Sequence, residues 1–420
     1  QQDTSEPKVN LIVVQLESLL DPQQVEGLTL SQDAMPNLHR LAQDYSSGLL
    51  TVPVIGAGTA NTEFEVLTGM RCRFFGPGEY PYKSRAQSMQ IESAASVLGS
   101  LGYRTHAIHN HRATFYGRDT VYSNLGFDDF TPVEYMPEMP RTPTGWATDG
   151  VLTDQILQSL DQSPDCADFV FTVTVQCHGS YPTDALEDPA IRVTACPDNL
   201  DAGALTYYVN QLADTDAFVG ALIEKLEARG EPTVAVFYGD HLPSLKLTAA
   251  QMQCASLYKT NYVIWDNLGL AREQTDLGAY QLTAHVLQRL GIRGGLMSRF
   301  HQACSGSSSY QADLRALEYD LLYGRGYLRS TQILTETPHL QFGLRQAEIT
   351  DLVSDDGCFY VFGSGFTPYC HVAQDGKLLD TTYMTDGALR VDADLSKTDL
   401  RALSIQVIGD HHKLLGELYD

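Results

Sequence analysis

The chain is 420 residues long, 43% hydrophobic and 19% charged, enough apolar material to bury a large core in one large or two smaller globular domains. Its 28 Lys and Arg stand against 52 Asp and Glu, a net charge of -24, so most of the surface repels a polyanion and general nucleic-acid binding is excluded. No stretch approaches the roughly 20 apolar residues of a membrane span, and the polar start Gln1 to Lys8 lacks the basic flank and apolar centre of a signal peptide, reading instead as a processed ectodomain.

Short β-rich apolar runs alternate with amphipathic stretches through the first three quarters of the chain. In order, the pattern predicts a strand at 9–15, helices at 36–45, 59–67 and 91–101, a strand at 104–109, helices at 113–125 and 150–160, and a strand at 169–176. A long helix at 200–229 follows, then strands at 233–238 and 261–265 and a helix at 279–290. This alternation predicts a three-layer α/β/α sandwich with a mainly parallel central sheet. Its ligand crevice should lie beyond the carboxyl ends of the strands, where Glu17, His109, His178 and the pair Asp240-His241 fall.

After about residue 335 the helical periodicity stops. Short strands at 347–352, 358–362, 370–374, 389–391 and 403–407, separated by turns such as Asp355-Asp356-Gly357 and Gln374-Asp375-Gly376, predict a small antiparallel β-sandwich over 336–420 beside a catalytic domain over 1–335. The run Gly363-Ser364-Gly365-Phe366-Thr367, followed by a strand and Asp375-Gly376-Lys377-Leu378, resembles the immunoglobulin-like IPT or TIG domains. Eight cysteines show no Cys-x-x-Cys spacing, which argues against a zinc ribbon or a thioredoxin-like motif. Cys358 and Cys370 flank what reads as a hairpin and are candidates for a bridge.

The chemistry-bearing residues lie far apart in sequence. Glu17 follows the unbroken apolar run Leu11 to Val14, where a carboxylate is costly to desolvate unless a cation or a donor meets it. Thr59 opens a helix after Gly56-Ala57-Gly58, so its hydroxyl sits among helix-start amides suited to a phosphate; as an isolated feature it reads equally as a helix cap. Asp240 and His241 follow an apolar strand, and neighbours point to opposite faces of a strand, so they converge only where the backbone turns, between Gly239 and Pro243. Together these donors predict one metal site with a hydroxyl nucleophile built into it.

Val9 to Ser18, Gly-Thr-Ala-Asn-Thr-Glu-Phe at 58–64, Phe-Tyr-Gly-Arg-Asp at 115–119, Gly145-Trp146 and Tyr-Gly-Asp-His at 238–241 resemble, in order, the lipoteichoic acid synthase and phosphoglycerol transferase family of the alkaline phosphatase and sulfatase superfamily. The resemblance implies that Glu17, Thr59, Asp240 and His241 hold one divalent cation, most often Mn2+ with Mg2+ or Zn2+ as alternatives, and that Thr59 is the nucleophile. It implies that Arg118 and His109 bind the phosphate and head group, and that His178 lines the same pocket; because only imidazole titrates near neutrality unperturbed, His178 or His109 is the candidate acid for the leaving alkoxide. It further implies a membrane-anchored parent at the extracellular face of a bacterial membrane, with a phospholipid head group as donor and a glycan, polyol or water as acceptor. The chain departs from the lipoteichoic acid synthases in reading Gly-Thr-Ala-Asn where they have Gly-Lys-Thr-Ser, and in its β tail, so the reaction class is better specified than the substrate.

The expected function is therefore a metal-dependent phosphoglycerol-type transfer through a threonine. A phosphoethanolamine transferase or a phosphodiesterase would use the same parts. A sulfatase needs a Cys/Ser-x-Pro-x-Arg frame at the nucleophile, and Thr59 stands there instead. A non-catalytic surface-binding protein remains the alternative from a different class; degeneration would remove ligands, and all four positions are filled.

Overall fold

The computed structural model describes residues 9–184, 186–328, 340–355 and 357–418. Its centre is a nine-stranded sheet. In chain order the strands are β1 (Asn10–Leu16), β2 (Ser46–Thr51), β3 (Arg104–His109), β4 (Asp129–Pro132), β5 (Asp168–Val173), β6 (Thr233–Gly239), β7 (Lys259–Asp266), β8 (Leu277–Gly278) and β9 (Gln341–Phe342). Their spatial order is β8-β2-β7-β6-β1-β5-β3-β4-β9. All neighbours are parallel except that β7 runs against both β6 and β2.

The central strands read as continuous apolar runs because both faces of the sheet are covered. Leu11 and Val13 belong with Phe169, Phe171, Val234 and Val236 to a core that includes Phe64 of the helix Thr59–Thr68. The intervening Ile12 and Val14 belong with Val170, Ala235 and Phe237 to a second core that includes Leu212, Val219 and Leu222 of the long helix Ala202–Arg229. Two layers of helices around a mainly parallel sheet agree with the sequence pattern.

The differences are local. The helix expected at 113–125 begins only at Arg118, because Tyr116 and Gly117 adopt left-handed backbone conformations that break the turn before it. The helix expected at 91–101 is shortened to Ala94–Ser100, where the Ser93 hydroxyl caps the Ala95 and Ser96 amides. Strands β2, β4, β8 and β9 and the helices Leu296–Cys304 and Tyr310–Leu322 were not anticipated from the pattern.

The C-terminal region forms two four-stranded antiparallel sheets around a separate core containing Val361, Val372, Leu389, Val391, Leu403 and Ile405. The boundary expected at 335/336 lies within 329–339, outside the described residues. Cys358 and Cys370, the candidates for a bridge, are both free. They open strands of different sheets, and the Cys370 thiol accepts from the Thr367 amide at 3.3 Å. This sandwich meets the large part on both sides of Arg118 in the chain: Asp410 pairs with Arg112, Lys413 with Asp119, and the Thr367 hydroxyl donates to the Glu134 carbonyl at 2.7 Å.

At the far end of the sheet, away from the carboxyl ends, β3 carries a fully buried His106 between two carboxylates. Its Nδ1 lies 2.9 Å from Asp129 Oδ2, and its Nε2 lies 3.1 Å from Asp168 Oδ1. Burial disfavours the charged ring, but the two carboxylates outweigh burial and raise its pKa from 6.5 to about 9. The folded-state value lies above the unfolded one. The stabilisation is therefore complete below about pH 6.5 and is lost as pH rises through about 9, a contribution on the order of 3 kcal/mol. Urea titrations should show the stability gap between wild type and His106→Asn closing from pH 6 to pH 10; a gap independent of pH would contradict the charged clamp.

Candidate metal centre and active site

The site is assembled by the parallel register of β1 and β6, which pairs Leu16 with Gly239 and so brings the next residues, Glu17 and Asp240, side by side. A glycine is required at 239: a Cβ there would lie 2.7 Å from Leu19 Cβ and 2.9 Å from Thr260 Cβ. Beyond the strand end, Ser18 turns with φ 55°, and its amide donates to Asp240 Oδ1 at 2.8 Å. The His241 amide donates to the same oxygen at 2.7 Å. That turn brings both neighbours, Asp240 and His241, round to one point.

The helix Thr59–Thr68 delivers the hydroxyl. Gly58, at φ 98°, precedes it in a left-handed conformation that a side chain would strain, and the Thr62 hydroxyl anchors the first turn to the Asp240 carbonyl at 2.7 Å. Thr59 Oγ1 donates to Glu17 Oε2 at 3.0 Å and also lies against Asp240. His241 Nε2 is 3.3 Å from Asp240 Oδ2 and 3.8 Å from Glu17 Oε1. One donor atom from each of Glu17, Asp240 and His241 lies within 4.8 Å of the others, so the structure gathers all four expected positions.

The donor set fits a cation. Glu17, Asp240 and His241 are 3%, 0% and 1% exposed, and among the described residues Asp240 Oδ2 and His241 Nε2 have no hydrogen-bond partner. His241 Nδ1 faces the Leu242 carbonyl at 3.0 Å, which places its proton there and turns the Nε2 lone pair to the cluster. Burial and then the Glu17 charge push the Asp240 carboxyl up. For His241, burial opposes protonation, but Asp240 and Glu17 outweigh it and raise the pKa. Two buried carboxylates beside an orphan imidazole nitrogen and a hydroxyl form an oxygen-rich ligand set of the kind hard divalent ions take.

Of the expected substrate residues, His109 and His178 lie at and beyond the carboxyl ends of β3 and β5, and Arg118 packs on Glu63 of the Thr59 helix. His109 ends β3, fully buried, and its Nδ1 lies 2.9 Å from the Val173 carbonyl. Burial, then the charge of Arg118, holds its pKa well below the usual value, so the ring is neutral at pH 7 and keeps Nε2 as an acceptor. His178 is half-buried in the loop after β5, with Nδ1 2.7 Å from the Gly179 carbonyl. Its ring lies 4.3 Å from that of Trp146; Trp146 lies 5.4 Å from His111, and His111 stacks on Phe115 at 4.6 Å. His111, to which the sequence assigned no role, is thus part of a continuous rim. Burial and then Arg118 bring its pKa down to about 4.

Arg118 is fully buried and already paired. Its Nε and Nη2 donate to the Glu63 carboxylate, the latter at 2.8 Å, and its Nη1 donates to the Phe115 carbonyl at 3.3 Å. Three of the five N–H groups are thereby used, leaving one on each terminal nitrogen. Glu63 also accepts from the Tyr82 and Tyr122 hydroxyls at 2.7 and 2.8 Å. Sequence reasoning missed Glu63; the available signal was its place four residues after Thr59 in a helix whose residues are nearly all buried.

A family model described as Sulfatase matches residues 9–292. Among curated proteins, a putative cyclic beta-1,2-glucan modification protein of Rhizobium meliloti (strain 1021) is 31% identical over 279 residues, which cover 63% of this chain and 43% of that protein. The capsular polysaccharide biosynthesis protein RkpI of the same strain is 29% identical over 239 residues, covering 56% of this chain and 41% of that protein. The chain thus matches less than half the length of these two relatives. Among solved structures, Streptococcus pyogenes phosphoglycerol transferase GacH in complex with sn-glycerol-1-phosphate superposes with a TM-score of 0.67 at 26% identity, covering 79% of this chain and 90% of that one. The lipoteichoic acid synthase LtaP from Listeria monocytogenes shares the fold with a TM-score of 0.56 at 23% identity, over 70% of this chain and 74% of that one.

Glu63→Gln removes the charge that neutralises a fully buried guanidinium. The variant should lose about 3–5 kcal/mol in chemical denaturation, and a loss below about 1 kcal/mol would mean that Arg118 finds its counter-charge elsewhere.

Proposed function

The chain belongs to the sulfatase family, an enzyme family with phosphoryl-group transferases among its structural neighbours, and on that premise we propose that it is a metal-dependent phosphoglycerol-type transferase with Thr59 as nucleophile. The observation that carries this reading is the Thr59 hydroxyl seated on Glu17 beside the unpartnered Asp240 Oδ2 and His241 Nε2. The family description does not imply sulfate ester cleavage by this chain, because a threonine occupies the nucleophile position without the Cys/Ser-x-Pro-x-Arg frame.

Glu17, Thr59, Asp240 and His241 would hold the divalent ion. Three oxygens and one imidazole favour Mn2+, with Mg2+ or Zn2+ as alternatives. Bound there, it supplies Lewis acidity that favours the threonine alkoxide and neutralises charge on the phosphoryl oxygens. The remaining steps belong to side chains. Thr59 Oγ1, held at the start of its helix, forms a bond to the head-group phosphorus while the bond from phosphorus to the diacylglycerol oxygen breaks. The remaining N–H on each terminal nitrogen of Arg118 suits two phosphoryl oxygens, and Glu63 fixes that fork four residues along the nucleophile's own helix. Neutral His109 offers an acceptor to a head-group hydroxyl rather than a proton to the leaving oxygen. His178 is then the acid for the departing alkoxide, and the reverse transfer passes glycerophosphate from Thr59 to an acceptor hydroxyl.

The relatives support a glycan acceptor. One carries cyclic β-1,2-glucan modification in its description, another capsular polysaccharide biosynthesis, and GacH is seen with a glycerol phosphate. No helix among the described residues is long and apolar enough to cross a membrane. We place the site at the outer face of a bacterial membrane, meeting a phospholipid such as phosphatidylglycerol from the surface, with the bound ion locally offsetting the chain's negative charge.

Two measurements test this reading. After incubation with phosphatidylglycerol and Mn2+, intact-mass analysis should show a covalent adduct of one glycerophosphate on wild type and none on Thr59→Ala; equal labelling of both, or labelling of neither, removes the mechanism. Separately, Mn2+ should raise the thermal midpoint of wild type by several degrees and leave that of Asp240→Asn unmoved. A common response would place the ion elsewhere.

A further inference from the structure

Asp149 is fully buried and takes no part in the chemistry described above, yet the segments that carry the rim meet on its carboxylate. Its Oδ1 accepts from the Asn110 side-chain amide at 2.9 Å and from the Val175 and Gln176 backbone amides at 3.1 and 3.2 Å. Its Oδ2 accepts from the Thr215 hydroxyl at 2.8 Å. The Asp149 amide in turn donates to Gln176 Oε1 at 2.9 Å, and the Gln176 amide group reaches Gln211 and Asp214 at 3.1 and 2.9 Å.

These partners have one thing in common. Asn110 lies between His109 and His111, Gln176 lies two residues before His178, and Asp149 itself lies three residues after Trp146. Thr215, Gln211 and Asp214 belong to the helix Ala202–Arg229, which packs on the sheet. Three loops beyond the strand ends are therefore tied to one another and to a rigid helix through a single carboxylate. None of these bonds involves Glu17, Thr59, Asp240 or His241. Four donors on one buried carboxylate account for its stability in place, and loops otherwise held by few contacts are where side-chain positions drift.

We propose that Asp149 is a positioning residue for the substrate pocket: it holds His109, His178 and Trp146 in mutual register while the metal cluster is held independently by β1, β6 and the Thr59 helix. The inference rests on the function proposed above for its kinetic readout, but its geometric content stands apart from it. The variant Asp149→Asn keeps a carbonyl oxygen for the Asn110, Val175 and Gln176 donors, whereas Asp149→Ala keeps none.

The test uses the full chain with bis-(p-nitrophenyl) phosphate and Mn2+. Asp149→Ala should lower kcat/KM at least thirtyfold, mainly through KM, with the Mn2+ dissociation constant within twofold of wild type. Asp149→Asn should recover kcat/KM to within about fivefold of wild type. Unchanged kcat/KM in Asp149→Ala, a parallel loss of Mn2+ affinity, or no recovery in Asp149→Asn would each overturn the proposal. If Asp149→Ala does not fold, Asn110→Leu replaces it, removing one donor beside His109 and carrying the same expectation at about tenfold. Histidine-ring NMR supplies a readout without turnover: in Asp149→Ala, or in Asn110→Leu where that variant does not fold, the His109 and His178 resonances should move and those of His106 should not, and Asp149→Asn should leave all three near their wild-type positions. If wild type fails to cleave the diester, the functional reading falls, while the NMR comparison still decides for or against Asp149.

Discussion

The register between β1 and β6 is the constraint on which the rest depends. Parallel pairing of Leu16 with Gly239 brings two carboxylates together just past the strand ends, where the sheet's apolar faces give way to loops. Buried like charges at such a separation are costly, so the arrangement calls for a positive charge between them. The protein's own contribution is one imidazole nitrogen, turned inward by the bond that His241 Nδ1 makes to the Leu242 carbonyl. The backbone supplies the remaining order: the Ser18 and His241 amides hold one Asp240 oxygen, so only the other faces the cluster.

A second, separate piece of electrostatics lies against the Thr59 helix. Glu63 and Arg118 form a buried pair reinforced by two tyrosine hydroxyls, and removing either partner would leave a charge with no solvent to meet it. Glu63 and Thr59 share a helix, about 6 Å apart along its axis, so the counter-charge of Arg118 and the proposed nucleophile are carried on one element. Arg118 also keeps the neighbouring imidazoles His109 and His111 from protonating, an effect that adds to their burial. The pocket thus combines one permanent cation with neutral rings that accept hydrogen bonds, a combination suited to a phosphate carrying a polyol.

The proposed ligand positions are legible in the amino-acid order because each follows a run that physics marks clearly. Glu17 and Asp240-His241 interrupt chains of strand-forming apolar residues, and Thr59 follows Gly-Ala-Gly at the head of a helical pattern. What stayed hidden depends on partners. Glu63 looks like any helical glutamate until Arg118, 55 positions later, folds against it. Asp149 sits in a loop with no periodicity at all, and its meaning comes from four distant donors. The short edge strands β8 and β9, two residues each, leave no pattern to read. In β2, Gly48 is explained by the Thr275 carbonyl, which a Cβ would strike at 2.1 Å, a fact of tertiary contact that propensity does not carry. The hairpin imagined between Cys358 and Cys370 failed for a related reason: those strands belong to opposite sheets of the sandwich.

His106 and His109 lie on the same strand, three residues apart, roughly 10 Å along it. The first is locked between Asp129 and Asp168, so β3 cannot slide by a residue without dragging a charged ring out of its clamp and into apolar surroundings. The strand therefore works as a ruler with its zero mark toward the end of the sheet opposite the pocket. The height of His109 along β3 is set there, while the bonds gathered on Asp149 fix the loops that surround it.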